Sequence, residues 1–381
     1  MKYKYKKQLT IINRILQNPG DFKYLRKNKK MKQSGLLLVI HESQDLGASI
    51  LALHIAEELK LQGVDVYIVS RQFGIMNEKY NRVAPFQIAL TRKSYEAICR
   101  DLYKKGYRKA LIITASNGDL VQITKKCGYN VVSMIHELEQ VISMLNLENE
   151  TKDMLLYSDK ILFSTSIAKN QILKLCNVSD SEKIFIRPQG IYLKKPSLEE
   201  IKRQREKIIE LYPVLAGEKK VIAGVGNTTE RKGFDIFLKT AELLPDCEFI
   251  WAGKKEHYYD EVLAKNGNPS NFIFLGSLNV DQLSGVYSLA DIYLMCSRFD
   301  TLPSTILEAL LFGIPVIGAK NSGGIVDIIN SANGFLTEES DSSQFMNAIK
   351  VVLNKNYNIK EIDRSFAKYV EYVLSLYEEK E

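Results

Sequence analysis

Two carboxylates and two cations in the C-terminal half are the residues whose types and spacing could do chemistry. Asp300 and Glu308 lie in SRFDTLPSTILEALLFGIPVI (297–317), and Arg231-Lys232 precede Gly233 in GNTTERKGFD (226–235). Pro303 marks the approach to a helix expected over 304–312, which puts Glu308 about one turn inside it, facing back toward the loop. The first turn of that helix presents unpaired N–H groups and a positive dipole end, both suited to an anion. Thr301, Leu302, Ser304 and Thr305 can donate to phosphate or sugar oxygens through backbone or hydroxyl. A carboxylate can accept both hydroxyls of a ribose, and a cation offsets charge that grows on a departing diphosphate. A nucleotide sugar presents both kinds of group.

Each feature has a plainer reading. Asp300 can be an ordinary loop residue and Glu308 a solvated helical one. Glu308 sits within ILEALLFGIPVIGA, however, where an unpaired charge is costly, and this favours a functional role. Arg-Lys-Gly is usually surface decoration, yet here it follows a strand ending at Val225, with Gly226 permitting a tight turn and Gly233 a close approach at the next helix. In the N-terminal half His41-Glu42-Ser43 and His136-Glu137 each follow a strand. Gly47 precedes a helix and lets ligand oxygens approach the backbone. A histidine after a strand is more often structural than catalytic, but two of only four histidines occupy this same slot. The sequence holds no GxxxxGK[ST] phosphate loop, no HExxH zinc motif, no GxSxG elbow and no evident DxD pair, so no metal site is expected.

The elements that must position these groups read as alternating strands and helices. GLLLVIHES, VDVYIVS, KALIITAS (109–116), NVVSMIHE, KILFSTS and KIFIRPQG are β-rich runs, with helices expected over 48–62 and near 119–127. A polar helix at about 197–211 and the break LYPVLAGEKK then separate a second series: KKVIAGVG, EFIWAG, NFIFLG, DIYLMC and IPVIGA. This alternation predicts an α/β fold of two Rossmann-like, doubly wound domains, with a ligand crevice at the carboxyl ends of the strands. The expected domains are 34–193 and 194–360, with a helix over 361–381 returning to the first and a basic extension over 1–33.

With 45% hydrophobic and 25% charged residues, the composition is that of an ordinary globular protein, and no apolar run approaches a membrane span. The opening MKYKYKKQLTIINR is too polar for a secretory signal. Five scattered cysteines without CxxC spacing fit a reduced, cytoplasmic setting. The net charge of +7 is uneven: residues 1–33 hold eleven Lys or Arg against Asp21 alone. Leu9, Ile12 and Leu16 recur at helical spacing among them. A basic amphipathic helix on an anionic membrane surface and a helix packed on the protein with a solvated basic face both fit. Nucleic acid is a weaker reading, since no basic-aromatic groove follows.

Together RKGFD (231–235), WAG, FLG and the 297–317 segment resemble the retaining family 4 glycosyltransferases (glycosyl transferases group 1) of GT-B fold. The last segment resembles that family's E-x7-E motif, with Asp300 in place of the first Glu. The resemblance is specific over about 219–354 and looser at HES…LGAS and VVSMIHE. It implies a hexosyl- or related transferase acting on a nucleotide diphosphate sugar, UDP-sugar foremost, without a cofactor or a metal at the diphosphate. Glu308 would bind ribose. Asp300 with Thr301, Leu302, Pro303, Ser304 and Thr305 would hold the sugar and phosphates. Lys232 and Arg231 would bind the diphosphate, near Gly226 and Asn227, and Gly276, Ser277 and Leu278 would lie by the base. His136 would lie beside the sugar and Gly47 near the phosphates. The family often carries Arg where this chain has Asn227. The acceptor implied is a glycan or lipid-linked hydroxyl, at the cytoplasmic membrane face. A non-catalytic scaffold of the same fold and a sugar-nucleotide epimerase are the competing functions.

Overall fold

A computed structural model describes residues 35–359 and 365–378; the basic extension and its amphipathic stripe lie outside the described residues. The chain forms two compact units. The first comprises residues 35–163, 170–187 and 366–378, and the second residues 164–169, 188–359 and 365.

The first unit is built on a seven-stranded parallel sheet of order β3-β2-β1-β4-β5-β6-β7. Its strands are β1 (Gly35–Ile40), β2 (Val66–Ser70), β3 (Phe86–Ile88), β4 (Tyr107–Ile113), β5 (Asn130–Ile135), β6 (Lys160–Phe163) and β7 (Ile184–Ile186). All six residues of β1 are buried, as a strand covered on both faces requires. The helix Phe366–Ser375 belongs to this unit, where Tyr377 donates to the Ala110 carbonyl at 2.8 Å and Gln62 to that of Ala367.

The second unit holds a six-stranded parallel sheet, β10-β9-β8-β11-β12-β13. These are β8 (Lys220–Val225), β9 (Cys247–Ala252), β10 (Phe272–Gly276), β11 (Ile292–Leu294), β12 (Val316–Ala319) and β13 (Gly334–Thr337). Alternate residues along a strand serve opposite faces. Ile222 packs with Phe234, Phe237 and Phe345 from the helices Phe234–Glu242 and Ser342–Leu353. Its neighbours Val221 and Ala223 pack with Ile208, Val286 and Leu289 on the other side. Helices thus cover both faces, and the strand order is that of a Rossmann sheet. The fold class is α/β with two Rossmann-like domains. Among the described residues no helix is long and apolar enough to cross a membrane.

Three local features differ from the sequence reading. The strand expected over 109–116 ends at Ile113, because Thr114 takes φ 73° and turns the chain away. The helix expected near 119–127 opens as a 3-10 turn, Ala115–Leu120, before Val121–Lys126. The short strands β3 and β13 offer only FQI and GFLT as pattern, too little to read as alternation.

Candidate functional site

The carboxyl ends of β8, β9 and β10 each finish in a glycine with positive φ: Gly226, Gly253 and Gly276. Gly253 donates to the Gly276 carbonyl, and the Trp251 indole donates to the Gly226 carbonyl at 2.7 Å. From Gly226 the chain runs through exposed Asn227 and buried Thr228 to Arg231 and Lys232. It enters the helix Phe234–Glu242 through Gly233, whose left-handed φ of 69° suits glycine. A Cβ on Gly233 would fall 2.0 Å from the Cys296 carbonyl oxygen, so the loop lies directly on the chain leaving β11.

That contact brings Asp300 to the cations. Lys232 Nζ lies 2.6 Å and Arg231 Nη1 3.1 Å from the same Asp300 oxygen, and Arg231 also donates to the Phe299 carbonyl. Lys232 and Asp300 are 17% and 13% exposed, against 43% for Arg231, so Lys232 is the enclosed partner. Burial would raise the Asp300 carboxyl, but Lys232 and Arg231 outweigh it and hold the group below its ordinary value. One residue outside the expected set braces the loop. Arg298 forms two parallel bonds to Asp235, at 2.8 and 2.7 Å, and its backbone N–H meets the Arg231 carbonyl.

The segment after Asp300 is clasped by the chain following β12. Asp300 donates to Ser322, and Gly324 donates back to Asp300. A Cβ on Gly324 would sit 1.8 Å from the Thr301 carbonyl oxygen, so no side chain fits there. Leu302 and Pro303 are buried and lead into the helix Ser304–Leu311. No side chain caps its N-terminus, which leaves the first-turn N–H groups for an anion. Lys232, Trp251, Tyr293, Ser297, Pro303 and Thr305 line one small niche, in which Tyr293 meets Thr305 at 2.7 Å.

Glu308 sits one turn along this helix and is 7% exposed, so it is not a solvated residue. Fully buried Tyr287 donates to its Oε2 at 2.7 Å. Burial raises the Glu308 carboxyl, opposed by hydrogen bonds from Tyr287 and Ser304. Glu308 lines a second niche with Gly190, Tyr192, Leu193 and Ser304. The Tyr192 hydroxyl is pushed up to about 12 by burial, despite a bond to Ser304. Tyr287, Tyr192 and Arg298 escaped the sequence reading. A phenol among apolar helix residues, as in SGVYSL, is a usable signal, since a buried hydroxyl needs a partner. Ser277 is exposed after Gly276, and Leu278 packs partly into the core.

In the first unit Gly47 begins the helix Gly47–Leu61, which also lacks a side-chain cap, and a Cβ there would meet nothing within 4 Å. No packing therefore demands glycine at that position. His41 follows β1 and lies 3.2 Å from the Gln72 amide. His136 follows β5, and burial lowers it to about 4, so it is neutral at pH 7.

Comparison with known proteins bears on the same segment. Residues 207–371 match the family described as Glycosyl transferases group 1. Alpha-galactosylglucosyldiacylglycerol synthase of Streptococcus pneumoniae is 30% identical over 165 residues, 41% of this chain and 40% of that protein. Sulfoquinovosyl transferase SQD2 of Arabidopsis thaliana is 29% identical over 141 residues, 36% of this chain and 27% of that protein. The chain thus spans less than half the length of these curated relatives. Among solved structures, Anabaena HepE in complex with UDP superposes with a TM-score of 0.71 at 16% identity, over 90% of this chain and 94% of that one. That likeness is one of fold.

Proposed function

We propose that this chain is a retaining glycosyltransferase that moves a sugar from a nucleotide diphosphate sugar, UDP-sugar foremost, to a hydroxyl acceptor. The observation that carries the reading is the convergence, within one unit, of Lys232, Arg231 and Asp300 beside an uncapped helix N-terminus that also bears Glu308. Lys232 and the first-turn N–H groups receive the diphosphate, Glu308 the ribose, and Asp300 a hydroxyl of the transferred sugar. Gly276, Ser277 and Leu278 flank the base, and neutral His136 hydrogen-bonds the sugar.

The acceptor oxygen adds to the anomeric carbon on the face that the diphosphate leaves. The bond from that carbon to the phosphate oxygen breaks, its electron pair stays on the oxygen, and the oxygen takes the acceptor's proton. The protein positions the reactants and stabilises the charge that grows on the leaving group. The glycolipid product in the Streptococcus relative's name supports a lipid-linked or glycan acceptor, handled at the cytoplasmic membrane face in surface polysaccharide or glycolipid assembly.

One observation favours a second reading, a non-catalytic partner of another transferase. Both cations are engaged by Asp300, and exposed Asn227 stands where the similar enzymes often carry Arg. Calorimetry of the full chain with UDP, GDP and ADP decides between them. The enzyme reading expects UDP binding that weakens roughly 10–100-fold in Glu308→Ala, as loss of a charged hydrogen bond does, together with loss of transfer. Binding of none of the three supports the partner reading, and unchanged affinity in Glu308→Ala removes the ribose role.

A further inference from the structure

The first unit contains a partly buried carboxylate, Glu137, that the transfer chemistry leaves unused. β4 and β5 pair in parallel up to Ile113 against Met134, and the Thr114 N–H extends the ladder to the Met134 carbonyl at 2.9 Å. There the chain breaks away through Thr114 at φ 73° and ψ 143°, a conformation few residues with a side chain adopt. Something must hold it. Fully buried Asn117 donates its amide to the Ile113 carbonyl at 2.8 Å and its backbone N–H to that of Thr114. A Cβ on Gly118 would lie 1.7 Å from the Glu150 carbonyl oxygen, so the turn rests directly on the helix Glu148–Tyr157 and cannot move outward.

The remaining constraint is Glu137. Its Oε1 accepts the Ala115 N–H at 3.1 Å, immediately after the strained residue, and its Oε2 accepts the His136 N–H at 2.9 Å. One carboxylate therefore spans the ends of two adjacent strands. Only the ionised form presents two equivalent acceptors; the acid keeps a weaker hydroxyl acceptor on one side, and an amide turns a donor toward one of the N–H groups.

We propose that Glu137, as a carboxylate, is a positioning residue that clamps the Thr114 turn to the peptide carrying His136 and so makes the enzyme's turnover depend on pH. The part concerning turnover rests on the transferase reading; the clamp itself does not. Burial raises the Glu137 carboxyl to about 7, opposed by the N–H groups of Ala115, His136 and Glu137 itself. The ionisable groups on the surrounding elements are His136, Asp119 on the turn, Glu139, and Glu148, Glu150, Lys152 and Asp153 on the packed helix. Of these, His136 reaches the Glu137 carboxyl through its backbone N–H, and Asp119 is taken up by Arg71 and Arg92 at 2.7 and 2.9 Å.

The sign of the effect is distinctive. The folded chain keeps a proton that the unfolded chain releases near the ordinary carboxyl value, so stability from this group falls as pH rises through about 7. Turnover moves the other way, rising as the carboxylate forms.

The test uses the full chain, with UDP and UDP-glucose as probes. Melting temperature and UDP-glucose hydrolysis are followed from pH 5 to 8.5 in the parent, in Glu137→Gln and in Glu137→Gln with Thr114→Gly. Parent kcat should climb about fivefold over the pH unit below its midpoint near 7, with KM for UDP-glucose changed less than about twofold. Glu137→Gln should lose that pH limb, lose the parent's fall in melting temperature over the same range, and bind UDP as the parent does. Thr114→Gly should restore part of its kcat, since glycine holds the turn without a clamp. Coincident pH profiles in parent and Glu137→Gln overturn the proposal. If Glu137→Gln does not fold, carbon-13 titration of the parent's glutamate carboxyls decides, and no midpoint above about 5.5 overturns it as well. If the parent binds no nucleotide, the transferase reading falls, while loss of the stability titration in Glu137→Gln still supports the clamp.

Discussion

The carboxyl ends of the two sheets each enclose a partly buried carboxylate, and the two behave in opposite ways. Asp300, beyond β11, is held below its ordinary value because Lys232 and Arg231 outweigh burial. Glu137, beyond β5, is pushed up to about 7 because only backbone N–H groups oppose burial. Enclosure alone thus fixes neither charge; the partner does. The second unit's end sets two cations on Asp300, as suits an anionic ligand. The first unit's end is close to neutral, with His136 uncharged and Glu137 near its midpoint at physiological pH. Their stabilities diverge accordingly. Asp300's contribution is present above the ordinary carboxyl value and is lost only as pH falls through its lowered one, whereas Glu137's is lost as pH rises toward 7.

The contrast can be broken most severely at Lys232. Lys232→Ala should lower kcat for donor turnover roughly 100–1,000-fold, or about 2.7–4 kcal/mol if it resembles loss of one oxyanion donor. Steady-state kinetics with UDP-glucose reads this, and a change below tenfold would leave Lys232 without a role in charge stabilisation. Tyr287→Phe sharpens the same contrast from the side of Glu308, whose carboxyl is raised like that of Glu137 but held by hydroxyls. Loss of the phenol should cost about 1–2 kcal/mol in urea unfolding and weaken UDP binding, with the Glu308 carboxyl rising further. Unaltered affinity in a folded variant would show that Tyr287 does not orient Glu308. The smallest effect is expected from Arg298→Lys, which keeps the charge but gives up the paired bonds to Asp235. About 0.5–1 kcal/mol of stability should be lost, with a modest rise in KM for the donor.

Much of this was legible from periodicity. Strands such as GLLLVI are buried along their whole length and read as continuous apolar runs, so the two-sheet α/β class follows from their alternation with helices. The site was legible in its charged residues but not in their pairing. Arg231 and Lys232 were assigned to phosphate and Asp300 to sugar as separate pieces, yet all three meet in one ion-pair cluster across almost seventy positions of chain. No local pattern encodes that meeting. It depends on Gly233 lying against Cys296, a contact between two strand ends that are neighbours only in the folded sheet. Tyr287 and Arg298 were missed for a related reason: each acts on a residue of a different element, and a tyrosine in an apolar helix face reads simply as core. The turn at Thr114 was missed because nothing in KALIITAS marks where the ladder ends.

The chain has a single tryptophan. Its indole is hydrogen-bonded to the very peptide from which the Lys232 loop departs, and its ring lines the niche that Lys232 enters. An occupant of that niche would alter the polarity around the one strong fluorophore present. The molecule therefore carries its own optical gauge of the loop, readable in a cuvette without dye or tag.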